Sequence, residues 1–587
     1  MRAMRNVGLS VALLFVLIAV LQILKNDRSL SQGVDEACHV AAGMEWLVRH
    51  TYTLDPVHPL LARYAIALPL YLVGARYPQF TSDDPRGKNF NDVGNAILGD
   101  RGHYERNLFL ARIGILPFFC LAAVVVYVWT NKYFGTLAAC VAVGLFTTTP
   151  SILAFAGLAY NDLPVAAMQL TFLYLLTVWL EQPTWRRTIV LGLIGGLAIA
   201  TKFTSLVFLG ASTVAVLVYK LWSEGKTGAP DSRGRRSLVR KLLAAAAISV
   251  VALWGTYGFS TGRVQEAMQL SPSAMPTFQH YPAPIRKIAH AAVLSDPRIP
   301  APELIHGFAL LWERSSPGPS CYLFGKIREG GWWFFFPVAL ALKTPIALLL
   351  LALIGAIVAV VASRQGKWIP LVPVISLAAI LGIAMLGKYN VGTRYVLVVF
   401  GLFSILGGLA AQWLAAHYAV WGKVILSGLL LWQLVANVAA RHDFLAYFNE
   451  FAPADPSKVL VYGCDFDCGE DLFRLRDALL ARKVSHFSLA LWSTADLSQL
   501  GLPPFEVLKP FEPASGWIAV SARSRRAGDV LHQEFPLGSL SWIEKYQPVA
   551  HVGQTILLYY IPEQSASPSL SQGTKGEQSS AFPARWR

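Results

Sequence analysis

Long apolar blocks separated by short polar breaks dominate the first 440 residues. Val7–Leu24, Leu108–Thr130, Phe134–Ala156 and Val165–Leu180 are each close to the roughly twenty residues that an α-helix needs to cross a bilayer. The pattern continues through Ile189–Ala200, Phe203–Leu221, Leu242–Phe259, Pro337–Ala362, Ile369–Leu386, Tyr395–Leu414 and Val420–Ala440, which makes eleven predicted spans. Thr201-Lys202 separates two of them. Basic residues orient the series. The loop Trp222–Lys241 carries Lys226, Arg233, Arg235, Arg236, Arg240 and Lys241, a strong inside signal. Arg186, Arg187, Arg364 and Lys367 fall on the same side when the spans alternate. Reading 189–221 as one span would put the basic loop outside. The predicted amino end is therefore inside, and Asp35, Asp162, Lys202, Arg394 and everything after residue 440 lie outside.

Two long outer loops follow from this count, 25–107 and 260–333. The second ends in Trp332-Trp333-Phe334-Phe335-Phe336, which suits an interfacial belt. Beyond residue 440 the apolar runs shorten, charges rise and alternation appears, as in Lys458–Tyr462, Trp517–Val520 and Thr555–Ile561. Residues 441–561 thus predict a small α/β domain, and the Ser/Gln/Gly-rich 562–587 a disordered tail. The fold class expected is an α-helical polytopic membrane protein with a small extracytoplasmic α/β carboxyl-terminal domain. Composition agrees: of 587 residues, 54% are hydrophobic and 14% charged, unlike an ordinary soluble protein. The net charge of +15 matches the inside-loop bias and carries no nucleic-acid signature, since no basic stretch is interleaved with aromatics. Cys120 and Cys140 sit in apolar runs as packing residues. Cys464 and Cys468 lie in the polar region and are free to pair in an oxidising compartment. Neither zinc spacing nor a fixed-period repeat is present.

Polar chemistry concentrates outside the spans, first in Val34–Arg63. If Val34–Val48 is helical, Asp35 and His39 share a face, and Asp55-Pro56 and His58-Pro59 break the chain into a kinked return. A short surface helix bearing Asp35 and Glu36 is the expectation. The plainer alternative is that Asp35 caps the helix and Glu36 favours its first turn. Lys343 stands about 15 Å beyond the aromatic belt at 1.5 Å per residue, close to mid-bilayer. An ionisable group there points to function, with snorkelling as the alternative. Lys202 and Arg394 lie at span ends, where a lone cation often serves as an interfacial anchor. Lys202 and Arg394 fall on the face that carries Asp35, Glu36 and Asp162, and Lys343 reaches it if it points up into a cavity. Acids and cations on one face beside lipid suit an anionic lipid phosphate: cations hold the phosphate and a carboxylate accepts a proton from an incoming hydroxyl.

Several stretches, in this order, resemble the GT-C class of membrane glycosyltransferases, the family-39-like protein O-mannosyltransferase and aminoarabinose-transferase relatives. Asp35-Glu36 resembles the acidic pair of that family's first outer loop, and His58-Pro59-Leu60-Leu61 its His-Pro-Pro-Leu return. Asn161-Asp162-Leu163-Pro164 resembles the second-loop acidic site, and Gly196–Lys202 a Gly-Leu-Ala…Thr-Lys stretch. Leu342–Pro345 and Asn390–Tyr395 match further family stretches. Tyr447–Glu450 and Asp467–Leu472 resemble a Tyr-Phe-Asn-Glu…Asp-Trp-Gly-Gln-Asp-Leu pattern, with Cys468 and Glu470 in place of Trp and Gln, and Leu60 stands where the second Pro of the return would be.

The resemblance implies inverting transfer of a sugar, hexosyl or pentosyl, from a polyprenyl-phosphate donor to a protein, lipid or glycan acceptor. It implies Asp35, Glu36 and Asp162 as catalytic residues, with Asp35 first as base. Lys343, Arg394, Lys202, His58 and Arg63 are the implied donor-phosphate and substrate-binding residues. Asp162 also leaves a divalent cation open, with no dedicated cage legible. The implied setting is a bacterial inner membrane with the site on the extracytoplasmic side, in contact with membrane lipids. A lipid-linked sugar transporter or flippase, or a non-catalytic lipid-phosphate binder, are the alternatives. Neither would consume a labelled polyprenyl-phosphate sugar, whereas an enzyme would.

Overall fold

A computed structural model of the chain describes residues 2–81, 84–225, 232–267, 283–315, 318–531 and 533–562. Lys226, residues 268–282 of the second long loop and the expected tail from residue 563 lie outside the described residues. The first helices are α1 (Arg2–Asp27), α2 (Glu36–Arg49), α3 (Leu60–Leu72), α4 (Phe90–Leu98), α5 (Tyr104–Ile113) and α6 (Leu116–Phe134). Next come α7 (Thr136–Thr147), α8 (Pro150–Ala156), α9 (Asp162–Glu181), α10 (Trp185–Thr201), α11 (Thr204–Gly225) and α12 (Ser232–Thr256). Short elements follow: β1 (Thr261–Arg263), α13 (Val264–Ala267), α14 (Ala283–Ser295), β2 (Arg298–Pro300), α15 (Pro302–Ser315) and the hairpin β3 (Ser320–Leu323)–β4 (Lys326–Glu329). Four further helices, α16 (Phe335–Lys343), α17 (Ile346–Arg364), α18 (Val372–Leu386) and α19 (Val398–His417), lead into α20 (Ala419–Ala440).

Among the described residues, nine helices are long and apolar enough to cross a membrane, or ten if the pair α7–α8, bent by 63°, counts as one broken span. The remaining expected segment is α10, whose 17 residues begin with Arg186 and Arg187 in the first turn. The expected break at Lys202 is present: α10 stops at Thr201, Lys202 is extended, and α11 begins at Thr204. The expected span Pro337–Ala362 differs, because α16 ends at Lys343 and α17 starts only at Ile346. Pro345 disfavours a helical residue before it, and Thr344 is extended. The carbonyls freed by the break are taken up by Asn449. Its amide Nδ2 donates to Ala341 O at 2.5 Å and Thr344 O at 2.7 Å, and its backbone N–H to Leu342 O at 2.8 Å. That contact gives the Tyr447–Glu450 stretch a physical purpose.

Past residue 440 the chain adds α21 (Leu472–Ala481), β5 (Phe487–Ala490), β6 (Phe505–Val507), β7 (Gly516–Ser521) and α22 (Ala522–Ala527). The two-residue strands β8 (Asp529–Val530) and β9 (Gln533–Glu534) precede β10 (Ala550–Val552) and β11 (Ile556–Ile561). A five-stranded sheet has the order β10-β11-β7-β5-β6, with β5 parallel to both β6 and β7, and β7, β11 and β10 antiparallel in turn. Two of the alternating stretches are strands of this sheet. The third, Lys458–Tyr462, is irregular although Val459, Leu460 and Val461 are buried. Gly463 (φ 74°) and Cys464 (φ 60°) turn the chain just beyond it, so it cannot extend into a ladder.

The helix α2 is covered rather than lying open on a surface: Glu36 to Glu45 are all buried. α3 packs so closely on it that a Cβ at Gly43 would come within 2.2 Å of Arg63 O, which only glycine permits. α4 and the carboxyl-terminal segment close the other sides. Ser31 N–H donates to Glu470 O at 2.8 Å, Val34 N–H to Cys468 O at 3.1 Å, and Thr494 Oγ1 to Val34 O at 2.7 Å.

Candidate active site

Asp35 stands at the N-cap position of α2, but its side chain makes no capping bond. Its carboxylate turns outward, and Oδ2 accepts from Arg394 NH1 at 2.5 Å. Arg394 lies in the short helical turn Thr393–Val396 that opens α19, and the same NH1 is 3.8 Å from Asp162 Oδ2. The other oxygen of Asp162 accepts from Lys202 Nζ at 2.6 Å. Asp162 is the first residue of α9, a position where helix amides favour an anion. Four residues from four distant stretches thus alternate acid and base: Asp35, Arg394, Asp162, Lys202. Asp162 is buried, whereas the Asp35 side chain keeps 36% exposure. Burial acts to raise the Asp35 pKa, but the charge and hydrogen bond of Arg394 hold it well below the usual carboxylate range.

Tyr160 fixes the backbone of this cluster, since its hydroxyl accepts the Asp35 N–H at 3.1 Å. Arg394 lies over the Tyr160 ring at 5.5 Å. Cys464 and Cys468 form a disulfide, and Cys468 Sγ is 3.1 Å from the Tyr160 hydroxyl. His58 is within electrostatic reach of Arg63, Lys202, Asp35 and Arg394. Burial first and then the nearby cations push its pKa down, so it stays neutral near pH 7. Its Nδ1 has no hydrogen-bond partner.

The other residues singled out in the sequence go elsewhere. Glu36 is fully buried and saturated. It accepts from Arg112 Nε at 2.8 Å and NH2 at 2.7 Å, from Ala159 N–H at 2.8 Å and from Gly33 N–H at 2.8 Å. Arg63 is buried and spent on the Asp55 carboxylate and carbonyl, on Tyr52 and on His39 Nδ1 at 3.1 Å. Lys343 Nζ donates to the carbonyls of Leu445 at 2.7 Å and Asp465 at 2.5 Å, 4.4 Å from the Phe448 ring. It therefore braces the broken helix against the segment that holds Arg394. Arg112, Tyr160 and Asp465 were not singled out by sequence reasoning. Arg112 carried a usable signal, a charge inside a predicted span.

Among the described residues, no group of three or more metal-ligating side chains includes Asp162. Among the described residues, the acids whose oxygens lie within 4.8 Å of one another are Asp443, Glu470 and Asp471. Arg474 already bridges Asp443 and Asp471 at 3.1 and 2.6 Å. Beside Lys202 an apolar groove of about 640 Å³ begins at Phe203 and runs between α10, α11 and α12, with Leu206, Leu253 and Phe308 among its walls.

Residues 105–254 match the family model described as dolichyl-phosphate-mannose-protein mannosyltransferase, a stretch that includes Asp162 and Lys202. No curated protein gives a significant match to the chain. Among solved structures, ArnT from Cupriavidus metallidurans bound to undecaprenyl phosphate is similar with a TM-score of 0.47 and 13% identity, over 93% of this chain and 97% of that one. Archaeal oligosaccharyltransferase AglB from Archaeoglobus fulgidus, in complex with an inhibitory peptide and a dolichol-phosphate, is similar with a TM-score of 0.46 and 11% identity, over 96% and 75%. The apolar helices make the chain a polytopic helical membrane protein, as its hydropathy implied, and its residues 105–254 are similar to a mannosyltransferase family.

Proposed function

We propose that this protein is a membrane glycosyltransferase that moves a sugar from a polyprenyl-phosphate donor to an acceptor hydroxyl with inversion. The observation that carries the proposal is the convergence of Asp35 and Asp162 on Arg394, with Lys202 as a second cation and an apolar groove starting one residue later. The match of 105–254 to a mannosyltransferase family model supports the reaction class.

A donor phosphate would compete with the carboxylates for Arg394 and Lys202, and its prenyl chain suits the apolar groove. Once Arg394 turns to the phosphate, Asp35 loses the charge that depresses its pKa and becomes the stronger base. It then takes the proton of the acceptor hydroxyl. The hydroxyl oxygen attacks the anomeric carbon from the face opposite the phosphate, and the bond from that carbon to the phosphate oxygen breaks. Arg394 and Lys202 hold the leaving phosphate. Asp162 keeps Lys202 and Arg394 in place, and neutral His58 lines the same space. Glu36 and Arg63 position α2 and its return, and Lys343 acts on the donor only through the segment that holds Arg394.

The active face and residues 441–561 belong outside the cytoplasm of a bacterial inner membrane in this reading, supported by the basic loops and by the disulfide. A cysteine placed near residue 230 should resist labelling by a membrane-impermeant reagent added outside. Efficient labelling would reverse the orientation. The deciding assay supplies labelled polyprenyl-phosphate sugars to membranes holding the protein. Release of the sugar to an acceptor is expected, and donor recovered intact with every sugar offered would overturn the transferase reading in favour of a carrier or binder.

A further inference from the structure

The segment between Cys464 and Cys468 touches residues beside both partners of the central ion pair. The Asp465 carboxylate accepts from Thr393 N–H at 2.9 Å and Thr393 Oγ1 at 2.7 Å, one residue from Arg394. Gly392 (φ 85°) lets the two chains meet there, since a Cβ would lie 2.5 Å from Gly463 O. The Asp465 carbonyl receives Lys343 Nζ, which ties the same segment to the end of α16. At the other end, Cys468 O accepts the Val34 N–H, and Cys468 Sγ lies against the Tyr160 hydroxyl that receives the Asp35 N–H. Asp467 anchors the segment outward, because Oδ2 accepts from Arg523 N–H at 2.8 Å. Within five residues the chain therefore grips the Arg394 turn with one end and the Asp35 turn with the other. The disulfide Cys464–Cys468 closes the span between these grips, with Cα atoms 4.6 Å apart.

We infer that the Cys464–Cys468 loop is the positioning element that sets Arg394 against Asp35, with the disulfide keeping its two grips in register. Cys464, Asp465 and Cys468 touch no substrate in this assignment; they act through Thr393, Tyr160 and Val34. Physically, ordering two distant strands of chain with one short loop costs entropy, and a covalent closure removes much of that cost from the folded state's alternatives. Without the closure, each grip is held by its own hydrogen bonds and can open separately. The meaning of the pairing for catalysis rests on the transferase reading, but the geometry does not.

Backbone amide exchange separates the two. The full-length Cys464→Ala/Cys468→Ala protein and wild type would be compared in the same detergent by hydrogen–deuterium exchange. Peptides covering 31–36 and 391–395 should exchange faster, on the order of tenfold for amides whose hydrogen bonds open locally, while β7 and β11 keep wild-type protection. Asp465→Asn keeps the disulfide and weakens only the Thr393 grip. It should speed 391–395 and leave 31–36 unchanged, and it serves also where the double variant does not fold. Wild-type exchange at both peptides in either variant would overturn the assignment. So would a uniform rise that includes β7 and β11, which would make the disulfide a general stabiliser. In the donor assay the double variant should lose turnover with KM for donor raised. A wild-type protein that consumes no donor would count against the transferase reading alone.

Discussion

Asp35 and Glu36 are neighbours, and each is paired with an arginine, yet the two pairs differ in burial and in how far the carboxylate is saturated. Glu36 and Arg112 are both fully buried, meet through two bonds, and leave no acceptor position on the carboxylate unused by the protein. Asp35 meets Arg394 through one bond, keeps 36% of its side chain exposed, and has a second acid, Asp162, sharing the same guanidinium. A saturated buried pair has nothing to offer a substrate, because every exchange of partners leaves a charge unpaired in a low-dielectric site. A partly exposed pair with a competing acid trades partners at lower cost. On the proposed function, saturation and exposure, more than charge or proximity to lipid, separate architecture from chemistry.

The sharpest way to break that comparison is to neutralise Glu36. Glu36→Gln strands Arg112 in the interior and should lower stability by about 3–5 kcal/mol, read as a large drop in thermal unfolding temperature and in yield. A Glu36→Gln protein with wild-type unfolding would erase the contrast. Asp35→Asn should do the reverse: unfolding and donor binding close to wild type, turnover reduced by about 10²–10⁴-fold. Near-normal turnover would leave Asp162 as the base to examine next.

Lys343→Met is expected to act between these extremes. It deprives the Leu445 and Asp465 carbonyls of their donor, an effect of about 1–3 kcal/mol in unfolding experiments. Donor affinity should fall only as far as the Arg394 segment loosens. Unchanged stability together with lost donor binding would instead make Lys343 a direct phosphate ligand.

The smallest effect expected is in pH dependence. Asp35 is held below the ordinary carboxylate range, chiefly by Arg394 against the opposing effect of burial. Its ion pair is therefore fully formed above the unfolded carboxylate value and is lost only as pH falls through the lowered folded value. His39 and His58 are kept neutral, by burial first and then by Arg63. The profile of kcat/KM, which reports the free enzyme, should then be flat from about pH 5 to 7 on the acid side. The acid limb of the kcat profile should lie at higher pH than that of kcat/KM, because the donor phosphate draws Arg394 away and the Asp35 pKa rises. Coincident acid limbs would mean that Arg394 stays on Asp35 throughout the cycle.

The membrane-spanning plan was legible in the residues because hydropathy is a local property: each apolar block declares itself without reference to the others. The stop at Lys202 and the acids of the first outer loop were legible for the same reason. Pro345, too, marks the break after Lys343, although a continuous span was the simpler expectation. Asp35 ranks ahead of Glu36 in the sequence, but the partners that separate the two were not legible. Asp35 and Glu36 differ by one step of a helix, about 100° of rotation, and their partners come from Arg394 and Arg112, 359 and 76 residues away. Lys343, Arg63 and Glu36 carry the charges expected of a binding site, but each already spends its hydrogen bonds on the protein. Charge type and spacing are written in the chain. Whether a charge is free to meet a substrate depends on how many of its bonds the fold has already filled, and that count exists only once distant segments have come together.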